Sequence, residues 1–479
     1  MIQPGKRNRR CALLVVAAMG VSGTVLAQPT PPAPEPAPAP APAAEPPPAD
    51  QPAANPANPP TPGPPPVAAQ PPVAPPAPPP TAFPTMTGPA LRLSDLFTFR
   101  PGVFLQIWGN FTQDAFKQTN GDSGAFAKNI YMRRARFFLG GSIGQSLTYF
   151  LLWETANLGQ PLANADGSTN KQQLTFAFND AYLDFKVNPN VSIQAGLMLI
   201  PFTRNILQST STYWALDIGG VSASYIAATQ TSTLRDTGAQ VKINAADNHF
   251  ELRGMVSEGV RLSDVTAPSA VPPAAVARNA GKNDPRFTAF AQYNFLDPDV
   301  GYVFNGQYFG RKRIAGIAGG VDYQSITDNP YFATSATAFA AIPLKGPDPK
   351  NGGDEIGGQV EYLHFHGGGA AIPKVGAQPG LPPALGGLGK QDALLVEAGY
   401  YNKAAKLSVF GKFEGRFFKD DTQKAGNQRI YGVGVKYFLA EQIANLTLMY
   451  SLAQTPDRPD NAIRNDVNAI QLQLQVGYF

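Results

Sequence analysis

The sequence is almost without cysteine: its 479 residues contain one, Cys11, and only three histidines. That excludes disulfide frameworks, iron–sulfur clusters and thiolate zinc sites. Charge is scarce too, at 15% of residues, and the net charge of +4 is too balanced for a nucleic-acid binder. Beyond the first thirty residues no run of 18 apolar residues occurs, so no membrane-spanning helix is expected. Neither H-E-x-x-H nor a phosphate-cradling glycine loop is present, and nothing argues for an enzyme or a cofactor.

What is present begins with an ordered set at the N-terminus. Lys6, Arg7, Arg9 and Arg10 precede the apolar run from Cys11 to Val21, and Val25-Leu26-Ala27 forms a small-residue exit. Charged, apolar and cleavage regions in that order predict a secretory signal peptide over 1–27. Cys11 lies away from that exit, which excludes a lipoprotein. Residues 28–89 then hold more than half of the chain's 48 prolines, mixed with alanine. Such a stretch buries too little apolar surface to offset its ordering entropy, so a disordered linker is expected. At about 3.1 Å per residue it could span on the order of 150 Å, enough for a spacer or a peptidoglycan contact.

From residue 90 onward the dominant signal is alternation with period two. Val103, Leu105, Ile107 and Phe111 alternate with Gln106, Trp108 and Asn110. Ala135, Phe137 and Leu139 oppose Arg134 and Arg136, and Ile470, Leu472, Leu474, Val476 and Tyr478 oppose Gln471, Gln473 and Gln475. A strand whose two faces differ this way separates two solvents. In hydrocarbon every backbone group must be paired internally, so a closed antiparallel barrel is the all-β solution, with lipid outside and water within. Tyr149, Trp153, Phe185, Tyr293, Phe295, Tyr437 and Phe438 are placed as interface girdles.

A first pass gives 17 candidate strands, whereas both barrel ends on one side of the membrane require an even number. Tight turns at 140–144, 187–190, 245–248, 401–404 and 439–442 alternate with long links at 114–128, 157–173, 201–235, 259–285, 367–390, 419–428 and 454–466. The alternation breaks only near 297–313. Treating that segment as a periplasmic connection restores it. The expected fold is a 16-stranded transmembrane barrel over 90–479, with 18 strands as the second choice. A barrel of this width encloses an aqueous channel, whereas eight strands are filled by side chains.

Selectivity in such a channel follows from the charges at its narrowest point. The 201–235 link is long, rich in Ser and Thr, and carries only Arg204, Asp217 and Arg235, so it is expected to fold inward. Parity points Arg134, Arg136, Lys242, Arg253, Arg286, Lys412, Arg416 and Lys436 to the lumen, with Asp180, Asp184, Asp236, Glu251, Glu361 and Glu414. These bases, with Arg204 and Arg235, either attract anions or pair with the acids and stiffen the wall. Arg134 and Arg136 are the leading filter pair. His364 and His366 share a strand face, but with no third ligand nearby a rim position is expected.

Arg133-Arg-Ala-Arg136 with Phe-Phe-Leu-Gly-Gly141, then Asn179-Asp-Ala-Tyr-Leu-Asp-Phe185, Ile193-Gln-Ala-Gly-Leu-Met-Leu-Ile-Pro-Phe202 and Arg235-Asp-Thr-Gly-Ala-Gln-Val241 resemble the phosphate-selective porin O/P family. The resemblance spans about 100 to 479. It implies a 16-stranded outer-membrane porin, a homotrimer, with an inward third extracellular loop and arginines along the pore. The terminal Phe479 resembles the signal read by the barrel-assembly machinery. The family's phosphate selectors cluster lysines at the constriction, and 201–235 contains none. The expectation is therefore a passive outer-membrane channel for small neutral or anionic solutes, weakly anion-selective. The alternative is a barrel that anchors a cell-wall-associated Pro-rich arm.

Overall fold

The computed structural model describes residues 90–94, 96–113, 126–163, 169–219, 233–259, 284–325, 330–367, 390–457 and 464–478. The expected signal peptide (1–27), the linker (28–89) and Phe479 lie outside the described residues.

Sixteen strands form the wall: β1 (Phe97–Gln113), β2 (Phe126–Ile143), β3 (Leu147–Leu158), β4 (Ala177–Asn188), β5 (Val191–Leu199), β6 (Arg235–Ala245), β7 (Phe250–Ser257) and β8 (Arg286–Asn294). They continue as β9 (Ile314–Gln324), β10 (Tyr331–Pro343), β11 (Glu355–Gly367), β12 (Gln391–Asn402), β13 (Leu407–Phe418), β14 (Gln428–Ala440), β15 (Ala444–Gln454) and β16 (Asp466–Tyr478). Each pairs antiparallel with the next, and β16 returns to β1 with Gln473 opposite Trp108 and Tyr478 opposite Val103. The sheet is therefore a closed ring of 16 strands, as the turn and link spacing implies. The 297–313 segment contributes no strand to the ring. The two pieces of chain that close the ring, Phe97 and Tyr478, lie at one end, here the near end; the other is the far end.

Closure removes the edge strands that would otherwise carry unpaired amides. It also fixes two unlike faces. Along β16, Leu472 and Val476 are 47% and 44% exposed on the outer face, while Gln473 and Gln475 between them are buried. The same alternation runs through β14, where Val433, Val435 and Tyr437 face out and Lys436 and Phe438 face in. Phe438 is thus no girdle residue. It turns inward, 2% exposed, onto Phe309 and Tyr401, because its parity is that of Lys436 and not of Tyr437.

One irregularity re-aims a charge. Between β1 and β2 the register slips, so that Gln106 faces Arg134 while Ile107 faces Met132. Arg133 is the extra residue of this bulge, and a bulge turns its side chain off the strand's alternation. Arg133 and Arg134 are in consequence both buried on the lumen side.

The outer face predicts a folding cost. Leu472 lies midway along β16, so Leu472→Arg should destabilise the bilayer-inserted barrel by about 2–4 kcal/mol. Equilibrium refolding into lipid vesicles measures it.

Candidate functional site: the luminal constriction

The far-end link between β5 and β6 is here loop L3 (200–234), and its described residues 200–219 enter the lumen, as its composition implies. Among its described residues from 200 to 219, only Ser209, Thr210 and Ser211 are partly exposed; the rest are buried. Its apolar side chains explain the inward course. Ile200, Phe202, Ile206, Leu207, Tyr213 and Ile218 pack against luminal Phe104, Phe138, Phe150, Tyr182, Phe290, Phe339, Leu363 and Leu395 in one cluster. Trp214 crosses further and lies over Gly357 and Gly399, which face each other on β11 and β12. A Cβ at Gly399 would stand 2.4 Å from the indole, so glycine makes the seat for it.

Polar grips complete the placement. Asp217 of L3 accepts from Arg133 at 2.9 Å and from Arg134 at 2.6 Å. Arg136 donates to Glu154 at 2.9 Å and to the Thr210 hydroxyl at 2.6 Å. Lys436 donates to the backbone carbonyl of Tyr213 at 2.5 Å, and Gln475 to that of Ser211 at 3.2 Å. L3 is thus tied to β2, β14 and β16, and Ser209, Thr210, Ser211 and Arg136 are left partly exposed there.

The expected luminal bases all face inward or lie on L3, but most are already partnered. Arg204 pairs with Asp299 at 2.9 Å and is sandwiched between the rings of Phe304 and Phe339. Arg235 pairs with Asp180 at 2.9 Å, and Lys242 and Arg253 both hold Glu251 at 2.9 and 2.6 Å. Arg286 pairs with Asp322 at 2.5 Å, and Lys412 with Glu414 at 2.6 Å on its own strand. Arg416 donates to Gln391 at 2.6 Å and stacks on Phe418. Among the described residues, no carboxylate lies within 4.0 Å of the Lys436 ammonium. Ion pairing is what low-dielectric surroundings demand of buried charge.

Two participants are absent from the sequence reading. Arg133 escapes it because strand parity alone assigns it outward. The β8–β9 connection is read as a connection, yet Asp299, Tyr302, Phe304, Gln307, Tyr308 and Phe309 are all buried. A signal was there: the stretch from Val300 to Gly310 holds four aromatics and no charge, unlike a solvated turn. His364 and His366 sit on the outer face near the far end of β11, His364 bonded to Asp392 at 2.7 Å. Gly140-Gly-Ser-Ile-Gly144 has the spacing of a hydrolase nucleophile elbow, but it lies at the β2–β3 turn, with the Ser142 hydroxyl 2.7 Å from that of Thr98.

Residues 102–300 match the family model described as phosphate-selective porin O and P, the family that the motifs resemble. No curated protein matches the chain. Among solved structures, the chain is similar to an anion-selective porin from Comamonas acidovorans, at 12% identity over 80% of this chain and 100% of that one, with a TM-score of 0.48. It is similar also to the outer-membrane channel DcaP of Acinetobacter baumannii, at 10% identity over 80% and 99%, TM-score 0.45. A third is Salmonella typhi OmpF in complex with daunomycin, at 11% identity over 81% and 100%, TM-score 0.45. The closed two-faced ring and its inward loop define a transmembrane barrel of the porin class. Residues 102–300 carry the sequence pattern of the family described as phosphate-selective porin O and P.

Asp217 is the test of how L3 is held. Asp217→Ala leaves Arg133 and Arg134 crowded without their shared acid, a loss of about 3–5 kcal/mol for a broken buried pair. A lower thermal midpoint in detergent and faster proteolysis within 200–219 are the expected outcomes.

Proposed function

We propose that this protein is a passive outer-membrane channel, not an enzyme, that lets small solutes diffuse through the ring and past L3, with a weak preference for anions. The observation that carries the reading is the Ser209-Thr210-Ser211 stretch. Among the described residues from 200 to 219 it is the part of L3 that is not buried, and the Arg136 guanidinium donates to its Thr210 hydroxyl. Hydroxyl and guanidinium donors replace part of an anion's hydration.

The preference is weak for an electrostatic reason. Arg134, Arg204, Arg235, Lys242, Arg253, Arg286 and Lys412 each have an acid within salt-bridge distance, so their fields largely cancel. The preference is assigned to Arg136, which shares the single Glu154 carboxylate with Arg134, and to Lys436, which donates to the Tyr213 carbonyl of L3. Neither side of this balance favours phosphate over other small anions.

In this reading the near end is periplasmic, residues 1–27 direct export and are removed, and 28–89 form an extended spacer in the periplasm. A homotrimer is the assembly that the family resemblance implies.

Reversal potentials across planar bilayers in asymmetric potassium chloride test the selectivity. The wild-type protein should favour chloride, and Arg136→Gln with Lys436→Gln should lower the chloride-to-potassium permeability ratio on the order of twofold. A cation preference in the wild type, or a ratio unmoved by both substitutions, contradicts it.

A further inference from the structure

We infer that the β8–β9 connection is a strap that crosses the near mouth of the lumen and sets the size limit jointly with L3. This rests on the reading of the barrel as a channel.

The neck of the connection shows that it could have been short. Beyond β8 and β9 the ladder continues: Phe295 N–H donates to the Ala315 carbonyl at 2.7 Å, and Asp297 N–H to that of Arg313 at 2.9 Å. Arg313 returns a backbone bond to the Asp297 carboxylate at 2.8 Å. Neighbouring strands paired to this point need only a two-residue turn. The chain instead sends residues 298–312 away from the hairpin.

They travel across to β12, β13 and β14. Gln307 donates to the Ser408 hydroxyl of β13 at 3.1 Å. The Phe309 ring packs edge-on against Tyr401 of β12 and Phe438 of β14, with centroids 5.2 Å away in each case. Arg311 makes a two-armed bond, 2.7 and 2.8 Å, to Glu441 in the β14–β15 turn. The strands at the strap's two roots are neighbours, while its tip is fastened to strands three to six places further around the ring. A segment so anchored spans the opening. Glu355, at the start of β11, holds it midway by accepting the Tyr308 and Gly310 amides. Phe309 has φ of 57°, a backbone conformation that a non-glycine residue keeps only where its surroundings hold it.

The strap also interlocks with L3. Phe304 N–H donates to the Leu207 carbonyl and its own carbonyl accepts from Ser209 N–H, both at 2.8 Å. The Thr212 hydroxyl accepts from Gly306 N–H at 3.0 Å, and Arg204 of L3 reaches Asp299 of the strap. Two segments that enter from opposite ends thus share backbone bonds inside the lumen. A solute that clears the hydroxyls of L3 must still pass the strap. Asp299, Tyr302, Phe304 and Phe309 are accordingly size-determining residues that act by holding L3 and narrowing the mouth.

The experiment replaces residues 298–312 by Asn-Gly, joining Asp297 to Arg313 in a hairpin that the ladder already supports. A second variant, Phe309→Ala with Arg311→Gln, keeps the chain length and frees only the tip. Folding is checked by heat-modifiable migration in detergent gels, and single-channel conductance is read in 1 M potassium chloride. Excision should raise conductance by about twofold or more, and the tip variant should show added transitions to a higher level. Folded variants with wild-type conductance and no such transitions overturn the inference. Steps from the wild-type protein test the channel reading separately. Wild-type silence beside a conducting excision variant would sink that reading of the resting protein and still support the strap.

Discussion

The structure depends on one constraint: in hydrocarbon, no backbone amide can be left unpaired. A helix meets it within itself, and the sequence has no helix-long apolar run beyond its N-terminus. The remaining solution is a sheet whose last strand bonds its first, and the β16–β1 ladder from Ala469–Thr112 to Tyr478–Val103 supplies that closure. Everything else follows from being closed. Sides alternate residue by residue, links alternate between short and long, and the ring encloses a space too wide for its own side chains to fill.

That space is occupied by borrowed chain. L3 and the strap bring aromatic and aliphatic side chains into the lumen, where they meet inward Phe, Tyr and Leu residues of β1 to β12. The result is an apolar core inside the barrel, an uncommon place for one. Charges embedded beside it cannot stay solvated, so they pair: Asp217 between Arg133 and Arg134, Asp299 with Arg204, Glu251 between Lys242 and Arg253. The same pairs that fix the inserted segments cancel most of the luminal field. Structural rigidity and the proposed weak selectivity therefore have one origin.

The wall was legible because its physics is local. Period-two patterning over ten residues reports which face meets lipid, and turn residues report where a strand ends, so most inward bases are legible, and strand number follows once the two ends are required to lie on one side. The luminal partners were not legible, since Asp217 and Arg134 are distant in sequence and meet only once L3 has entered. Arg133 was hidden by a bulge, which shifts parity by one without leaving a compositional mark. Phe438 was misplaced for a related reason: two adjacent aromatics at a strand end look alike, yet only one of them can face the membrane. The strap was recognised as a connection but not as an inserted one, although Tyr302, Phe304, Tyr308 and Phe309 are a strange set for a turn in water.

The central claim is that successive residues of one strand meet two different solvents. Single cysteines in the protein without residues 1–27, reconstituted in lipid vesicles, test it on β16. A water-soluble maleimide should label Gln471→Cys and leave Leu474→Cys unmodified, while a fluorophore attached in detergent at 474 should be quenched by lipid-borne nitroxide. Equal labelling at both positions, or quenching at 471 in place of 474, would contradict the two-faced wall.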